Sequence, residues 1–344
     1  MRAALHRPQR NWGPRLREYD VAGGLRAVFL ENELLRVGVL ADRGTDVFEL
    51  LYKPRDLDFA WLSANGVRDA RTAAPGSSDV FVDTYPGGWQ EVLPNGGAPS
   101  SYVGAHYGQH DEVSLVPWDY EVVEDGEEAV AVRFTVTARK SPFRLVKELR
   151  LAAGEPGLRI VETVTNESDV AARLMWGHHV AFGPPFLVPG CRVALPDGVE
   201  AVAHAEALND GGRRVRAGRF RWPHGEDESG VGVALDVIPE RGTPSELLYL
   251  TGFAEGRYEI VRPASRLGLR VEWDASVMPY LWFWQEFGRT TGYPWYGRHY
   301  NIGLEPFTSF PTNGLAEAVA NGTALELPPR GRRDFWLTAT VVDG

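Results

Sequence analysis

The sequence contains a single cysteine, Cys191, among its 344 residues. An intramolecular disulfide is therefore excluded, and such a chain is typical of a reducing compartment, so we expect a cytoplasmic protein. Long apolar runs are also missing, and the arginine-rich first residues lack the pattern of a signal peptide or a membrane span. Positive charge is in deficit, with 36 Lys and Arg against 46 Asp and Glu. This balance argues against nucleic acid or an anionic membrane as partner and favours a neutral small molecule.

Helical periodicity is equally scarce. The stretch NGLAEAVANG (313–322) is the only moderately helical pattern, and it is too short to carry an architecture. Elsewhere apolar and polar residues alternate, as in AVAVRFTVTAR (129–139), which indicates half-buried strands. Similar alternation at 143–151 and 158–166 predicts an antiparallel meander, and the segments 24–40 and 44–53 predict further strands. We therefore expect one all-β domain of stacked antiparallel sheets over residues 1–344, with residues 1–20 as an N-terminal arm.

One turn is predicted in detail. Asp125-Gly126 lies between two alternating segments, and this dipeptide supplies the positive φ angles that a tight two-residue hairpin requires. We expect the strands on either side of it to pair through such a turn.

Four stretches interrupt the strand rhythm with a high density of aromatic, glycine and ionisable residues. A sugar ring needs this combination, because its C–H face stacks on aromatic rings while its hydroxyls need directional polar partners. The stretches therefore predict a carbohydrate site. They are DTYPGGWQEVLPNGG (83–97), HYGQHDEVSLVPW (106–118), MWGHHVAFGPPF (175–186) and LWFWQEFGRTTGYPWYGRHYNIGLEPF (281–307). The alternative is that their tryptophans are ordinary core residues, as most are in β proteins.

Three of these segments, GQHDEVSLVPW, WGHHVAFG and NIGLEPFTSFP, occur in the order of the site segments of aldose 1-epimerases, and the chain resembles that galactose mutarotase-like superfamily. The resemblance covers most of the chain and implies a large antiparallel β-supersandwich. It assigns the family's catalytic carboxylate to Glu305, its catalytic histidine to His179 rather than His178, and the histidine of its Leu-His-Gly element to His110. Gln109 and Asp111 flank His110 where the family has Leu and Gly.

The resemblance implies interconversion of the α and β anomers of a sugar, without a cofactor or a metal. Glu305 would accept the proton of the C1 hydroxyl, His179 would donate to the ring oxygen, and His110 would hydrogen-bond the sugar. In an extended segment adjacent side chains point to opposite faces, so we expect one of His178 and His179 to face the site and the other to pack. The expected partner is a monosaccharide or modified sugar, and a homodimer stays open.

Further polar and aromatic residues are candidates for binding the sugar. They surround two tryptophans in the first and last of the four stretches, although a surface turn explains the first stretch equally well. The candidates are Trp89, Gln90, Glu91, Asn95, Trp284 and Gln285.

Three other readings of the site remain open. The scaffold could bind a carbohydrate without catalysis, because fold alone does not define function. A glycoside hydrolase or lyase could combine Glu305 with a second carboxylate, Glu91 or Glu286. His106 and His110 could bind a metal together with His299 or a carboxylate, because imidazole is a common zinc ligand.

Overall fold

The computed structural model describes residues 10–77 and 79–344. Within these residues the chain is almost entirely extended, as the alternating sequence pattern predicts. The strands are Arg15–Val21 (β1), Leu25–Glu31 (β2), Leu35–Leu40 (β3), Asp46–Tyr52 (β4), Leu57–Asp58 (β5), Trp89–Val92 (β6), Ser100–Tyr102 (β7), Ala105–Tyr107 (β8), Asp119–Asp125 (β9), Ala129–Thr137 (β10), Phe143–Ala152 (β11), Gly157–Asn166 (β12), Ala172–Leu174 (β13), Gly177–Phe182 (β14), Arg192–Ala194 (β15), Glu200–Ala203 (β16), Gly218–Arg221 (β17), His224–Glu226 (β18), Gly232–Ala234 (β19), Glu246–Thr251 (β20), Gly256–Val261 (β21), Leu267–Trp273 (β22), Tyr280–Glu286 (β23), Asn301–Phe307 (β24), Leu325–Leu327 (β25) and Arg332–Asp343 (β26).

Helices are short and few in the described part of the chain. The α-helices are Val80–Thr84 (α1) and Leu315–Ala320 (α2), the latter within the stretch predicted to be helical. Single 3-10 turns occupy Ala22–Gly24, Lys53–Arg55, Ala70–Thr72 and Val113–Leu115. None of these helices has the length and apolar character that crossing a bilayer requires.

Two large sheets form the body of the molecule, and we call them the major and the minor sheet. The major sheet has 12 strands in the order β1-β2-β3-β4-β6-β14-β24-β23-β20-β16-β17, with β5 paired to β4. The minor sheet has eight, in the order β15-β21-β22-β26-β12-β11-β10-β9. Their neighbouring strands run antiparallel, and apolar side chains from both sheets share one core. The predicted all-β architecture of antiparallel sheets is thereby confirmed.

Two details differ from the sequence-based expectation. The strands β9 and β10 do pair, but the amide of Gly126 donates to the carbonyl of Ala129 at 3.0 Å, so the turn is centred on residues 127–128. Neither Asp125 nor Gly126 has a positive φ, so the predicted Asp-Gly turn is wrong. Of the predicted arm, residues 1–9 lie outside the described residues, whereas Arg15–Val21 is the edge strand β1, paired along its length with β2.

Strands β6, β14, β24 and β23 lie side by side in the major sheet and carry most of the predicted site residues. The pairs Gly177–Phe307 and Ala181–Gly303 fix the register of β14 on β24 and place His179 opposite Glu305. On the other side of β14, His178 pairs with Glu91 and His179 with Gln90. Because successive side chains on a strand alternate between faces, His178 and His179 point to opposite sides of the sheet.

The inward side of β14 meets a charged cluster between the sheets. Apart from Asn166 at the end of β12, the inward rows of β11 and β12 are apolar except at one paired position, where Lys147 lies opposite Glu162. His178 and Glu91 face this position from the major sheet, and all four side chains are fully buried. Lys147 Nζ lies 3.1 Å from Glu91 Oε2 and 3.8 Å from Glu162 Oε1, and His178 Nε2 lies 3.2 Å from Glu162 Oε2. We call these four residues the inter-sheet ionic cluster.

Removing the lysine from this cluster should destabilise the protein strongly. In Lys147→Met the buried carboxyl groups lose their ammonium partner, and breaking a buried ion pair in this way costs about 3–5 kcal/mol. Lys53→Met is the matched control, because Lys53 is partly exposed and pairs with Glu31 near the surface, where a pair contributes at most about 1 kcal/mol. Urea unfolding at pH 7 measures both free energies of unfolding. Equal losses in the two variants would contradict the structural role of the cluster.

Candidate active site

A cavity of about 450 Å³ opens on the outer face of the major sheet, above β14, β24 and β23. Its floor carries His179, Glu305, Trp282 and Trp284, one from β14, one from β24 and two from β23. The register explains this grouping, because Trp282 lies opposite Glu305 and Trp284 opposite Gly303. The wall is completed by α1 and by loops that contribute Phe81, Tyr85 and His110, among others. The predicted residues His110, His179, Trp284 and Glu305 are thus brought together.

Glu305 and His179 face each other at the closed end of the cavity. Glu305 Oε1 lies 3.6 Å from His179 Nε2, just beyond hydrogen-bond distance, and the two residues are 2% and 5% exposed. Oε1 has no hydrogen-bond partner in the described residues. A Cβ added to Gly303 would lie 2.1 Å from this oxygen, so the glycine two positions before Glu305 makes the room that the carboxyl group occupies. The carboxyl group is therefore held close to the histidine and free to bond a ligand.

His110 approaches the pair from a loop. Its ring contacts those of His179 and Phe81, with centroid distances of 5.0 and 4.7 Å. The backbone amide of Gly97 donates to His110 Nδ1 at 3.2 Å, so a neutral His110 carries its hydrogen on Nε2. His110 has a left-handed backbone with φ of 49°, a conformation that histidine adopts more readily than most residues and that often marks a functional position. It can offer an N–H donor to a ligand.

Tyr85 contacts the far side of the His179 ring. Its hydroxyl lies 3.4 Å from His179 Nδ1, and its ring packs edge-on against the imidazole at 5.3 Å. Burial, with smaller contributions from the nearby carboxyl groups of Glu305 and Asp46, raises the pKa of Tyr85 well above 10. The side chain therefore stays a neutral phenol.

Burial decides the protonation of the three central groups. It raises the pKa of Glu305 well above the usual 4.5 and lowers that of His179 to about 4. Burial and the neighbouring His179 lower the pKa of His110 well below 6.5. No lysine or arginine is among the described residues that line the cavity, and without a neighbouring cation a neutral carboxyl and a neutral imidazole cost less to bury than an ion pair. Burial therefore favours the neutral form of the pair, with a proton on Glu305 and an uncharged His179, over the ion pair.

Two of the predicted sugar-binding residues face away from the cavity. Trp89 and Glu91 alternate with Gln90 along β6, and their side chains point between the sheets. The indole of Trp89 donates to His178 Nδ1 at 3.0 Å, and Glu91 accepts from the indole of Trp176 at 2.6 Å. These residues support the strand that carries His179 but do not line the site.

Three further candidates have structural hydrogen bonds instead of a place in the cavity wall. Gln90 is fully buried and donates to the carbonyl of Gly87 at 2.5 Å. Asn95 bonds the carbonyls of Ala98 and Gly108 and accepts from the amide of Leu315, which ties together the loops beside the cavity. Gln285 follows Trp284 on β23, so it points to the opposite face, where its oxygen accepts from Arg214. Sequence composition alone does not show which face of a strand Gln90 and Gln285 occupy, or how the turn around Asn95 folds.

Phe81 and Tyr85 were missed by the sequence analysis. Phe81 lies in α1, and Tyr85 follows its last residue. The sequence feature that could have indicated this helix is Asp79, whose carboxylate caps the helix by accepting from the amide of Val82 at 3.1 Å. Tyr85 does lie within the aromatic stretch 83–97, but the sequence analysis gave it no role, and the glycines there are equally consistent with a surface turn.

The histidine cluster considered as an alternative metal site does not assemble. His106 is exposed and bonds Ser101, and His299 packs between Trp61 and Trp295, away from His110. Among the residues that the structure describes, the acidic and histidine side chains close enough to share a metal ion are Glu91, Glu162 and His178. The ammonium of Lys147 already supplies the positive charge at that position.

Glu286, the second carboxylate considered for a hydrolase, does lie in the cavity wall. Its Oε2 accepts from the hydroxyls of Ser245 and Thr290, and its Oε1 accepts from the amide of Gly288 at 2.9 Å. With both oxygens occupied, this carboxylate anchors the following loop. Glu91, the other candidate, is in the inter-sheet ionic cluster.

The architecture is that of the galactose mutarotase-like β-sandwich. A candidate aldose 1-epimerase from Klebsiella pneumoniae superposes with a TM-score of 0.75 over 95% of this chain and 83% of its own, at 17% identity. A galactose mutarotase-like protein from Clostridium acetobutylicum gives 0.65 over 96% and 99%, also at 17% identity. A candidate aldose 1-epimerase from Escherichia coli K12 gives 0.58 over 96% and 100%, at 14% identity. Likeness at these identities establishes the shared fold.

The sequence itself places the chain in a family. It belongs to the family described as a domain of unknown function, DUF4432, whose model matches residues 22–221. No functionally curated protein matches the chain. The match ends before β23 and β24 and so does not extend to Trp284 or Glu305.

The site geometry predicts different tautomers for its two histidines. A neutral Glu305 faces His179 Nε2 as a donor, so the hydrogen of His179 lies on Nδ1, toward Tyr85, whereas that of His110 lies on Nε2. Two-bond ¹H–¹⁵N NMR at pH 7 distinguishes these forms. Glu305→Ala should allow His179 to populate both tautomers and leave His110 unchanged. Finding the same tautomer for both histidines in the unaltered protein would contradict the assignment.

Proposed function

We propose that the protein is an aldose 1-epimerase, which interconverts the α and β anomers of a reducing sugar by opening and reclosing the ring. The observation that carries the proposal is the pair of Glu305 and His179, 3.6 Å apart at the closed end of a cavity lined by aromatic side chains. Anomerisation needs one proton donor and one acceptor within reach of the same ring. The galactose mutarotase-like fold and the order of the three sequence segments support this reading.

Ring opening moves one proton onto the ring oxygen and removes another from the C1 hydroxyl. Starting from the neutral pair, Glu305 donates to the ring oxygen while His179 Nε2 takes the hydroxyl proton, and the C1–O5 bond breaks to give the aldehyde. The pair is left as carboxylate and imidazolium, which attract each other across the short gap. Rotation about C1–C2 presents the other face of the carbonyl, and the reverse transfers close the ring.

These starting roles differ from those that the resemblance implies, where Glu305 accepts first and His179 donates. The difference follows from where burial places the proton in the free protein. Since opening and closing run in opposite directions, each group acts once as donor and once as acceptor in every turnover. His110, through its Nε2–H, would hydrogen-bond the oxygen that gains charge during ring opening.

Removing either member of the pair should abolish most of the rate. Glu305→Gln and His179→Gln keep the approximate shape of each side chain but remove the proton that it exchanges, so kcat/KM should fall roughly 10²- to 10⁴-fold. His106→Gln is the control, because this exposed histidine lies four residues before His110 and bonds only Ser101. Exchange NMR between the α and β C1 protons of glucose and galactose measures the rate above that of buffer.

If the unaltered protein accelerates no sugar, it is not an epimerase. Binding of a sugar in the cavity without acceleration would favour a carbohydrate-binding protein on the same scaffold. Full activity in Glu305→Gln would remove the role proposed for the pair.

Catalysis should require exactly one proton on the pair, which predicts a bell-shaped dependence of kcat/KM on pH. The acid limb lies near the lowered pKa of His179, about 4, because below it the imidazole holds a proton and cannot accept another. The alkaline limb lies at the raised pKa of Glu305, because above it the pair has no proton to donate. Exchange rates from pH 3 to 9, corrected for buffer, test this. A rate that rises steadily to pH 9 would contradict it.

A further inference from the structure

The turn between β10 and β11 reaches from the minor sheet to the loop that carries His110. It comprises residues 138–142 and is closed by the amide of Ala138, which donates to the carbonyl of Phe143 at 2.8 Å. None of residues 138–142 lines the cavity. We call this segment the anchor turn, because three residues beside His110 in sequence bond or contact it.

Glu112, two positions after His110, makes the most buried of these contacts. The residue is 3% exposed, and its carboxyl group accepts from the backbone amides of Arg139 and Lys140, the latter at 3.0 Å from Oε2. Hydrogen bonds to a carboxylate are shorter and stronger than those between neutral groups. The position of Glu112 is therefore fixed relative to the backbone of the anchor turn.

Lys140 ties two further residues to the anchor turn, one on each side of His110. Its ammonium forms an ion pair with the carboxylate of Asp111 and lies 5.9 Å from the centre of the Tyr107 ring. The hydroxyl of Tyr107 donates to the carbonyl of Lys140 at 3.3 Å. The loop is thus held to the second sheet both before and after its histidine.

The backbone of His110 is in a conformation that needs such support. Its φ of 49° is left-handed, and a residue other than glycine persists there only where the surrounding structure holds it. Two bonds hold it from nearby: its amide donates to the carbonyl of Gly97 at 3.2 Å, and the hydroxyl of Ser114 donates to its carbonyl at 2.6 Å. The anchor turn adds a restraint from the opposite sheet.

We propose that Glu112 and Lys140 are positioning residues, which hold His110 so that its Nε2–H meets the sugar oxygen that gains charge during ring opening. This inference rests on the proposed epimerase function. Misplacing such a group by about 1 Å costs up to roughly 100-fold in rate. Because the bond strengthens in the transition state, its loss lowers kcat more than it changes KM.

The test measures kcat and KM for glucose and galactose by exchange NMR in matched variants. Glu112→Gln keeps the shape of the side chain but turns an NH₂ group toward the backbone amides. Lys140→Met removes a partly exposed ammonium, and Lys140→Arg keeps the charge. Glu148→Gln is the control, because this carboxylate lies on β11 and pairs with Arg133 but does not line the cavity.

Glu112→Gln should lower kcat roughly 10- to 100-fold with little change in KM. Lys140→Met should lower it roughly two- to fivefold, because its ion pair is partly exposed, and Lys140→Arg should restore it. Glu148→Gln should behave as the unaltered protein does. Thermal unfolding of each variant verifies that it is folded.

A double-mutant cycle separates positioning from a general structural role. His110→Asn removes the imidazole but suits the left-handed backbone. If Glu112 acts through His110, adding Glu112→Gln to His110→Asn should lower kcat by less than roughly twofold, because the two changes remove the same interaction. Two-bond ¹H–¹⁵N NMR gives a second readout: Glu112→Gln should let His110 populate both tautomers and leave His179 unchanged.

The proposal is overturned if Glu112→Gln matches Glu148→Gln in kcat, if its loss is as large in the His110→Asn background, or if the His110 spectrum is unaltered. Should Glu112→Gln not fold, Lys140→Met decides: a loss that Lys140→Arg restores supports the proposal, and an unchanged kcat overturns it.

Failure of the epimerase function has a different signature, because the unaltered protein then accelerates no sugar. The NMR spectra of the variants still test the anchor turn in that case. A change confined to His110 retains its positioning by Glu112, and identical spectra remove it.

Discussion

The register of β14 between β6 and β24 is the constraint on which the site depends. It places His179 opposite Glu305 on the outer face and His178 opposite Glu91 on the inner face. A shift of one residue would turn each histidine to the other face, because side chains on a strand alternate with a period of two. In one direction Gly177 would then take the place of His178 in the inter-sheet ionic cluster, and in the other Val180 would take the place of His179 opposite Glu305. Either shift leaves one of the two positions without an imidazole. Both faces of the strand therefore select the same register.

The inter-sheet ionic cluster gives this register its specificity. Burial and the neighbouring Glu162 raise the pKa of Glu91 to about 7, whereas Glu162 and Glu91 outweigh the burial of His178 and raise its pKa. Burying four ionisable groups is costly compared with an apolar core of the same shape. The cost is offset only when each group meets its partner, so a misregistered β14 would leave charges unpaired. The buried charges on one side of the sheet thus favour the register that places His179 beside Glu305 on the other side.

Much of the fold and part of the candidate site could be predicted from the sequence. Alternation identified strands such as β10, β11 and β12, and the three motifs identified His110, His179 and Glu305, which the cavity brings together. The other site residues could not be predicted, because periodicity alone does not show which face of a strand packs against the second sheet and which faces the cavity. Glu91 and Gln285 sit beside true site residues in sequence but point the opposite way, and Tyr85 reaches the site through a helix of five residues that has no clear periodic signal.

The most direct measurement is a crystal structure of the Glu305→Gln variant with a reducing sugar bound, since this substitution preserves the shape of the site and stops turnover. The account predicts that the C1 hydroxyl and the ring oxygen lie within hydrogen-bond distance of residue 305 and His179, one oxygen at each, with the remainder of the sugar directed toward the mouth. A sugar bound with its reducing end at the mouth, or bound elsewhere on the protein, would contradict it.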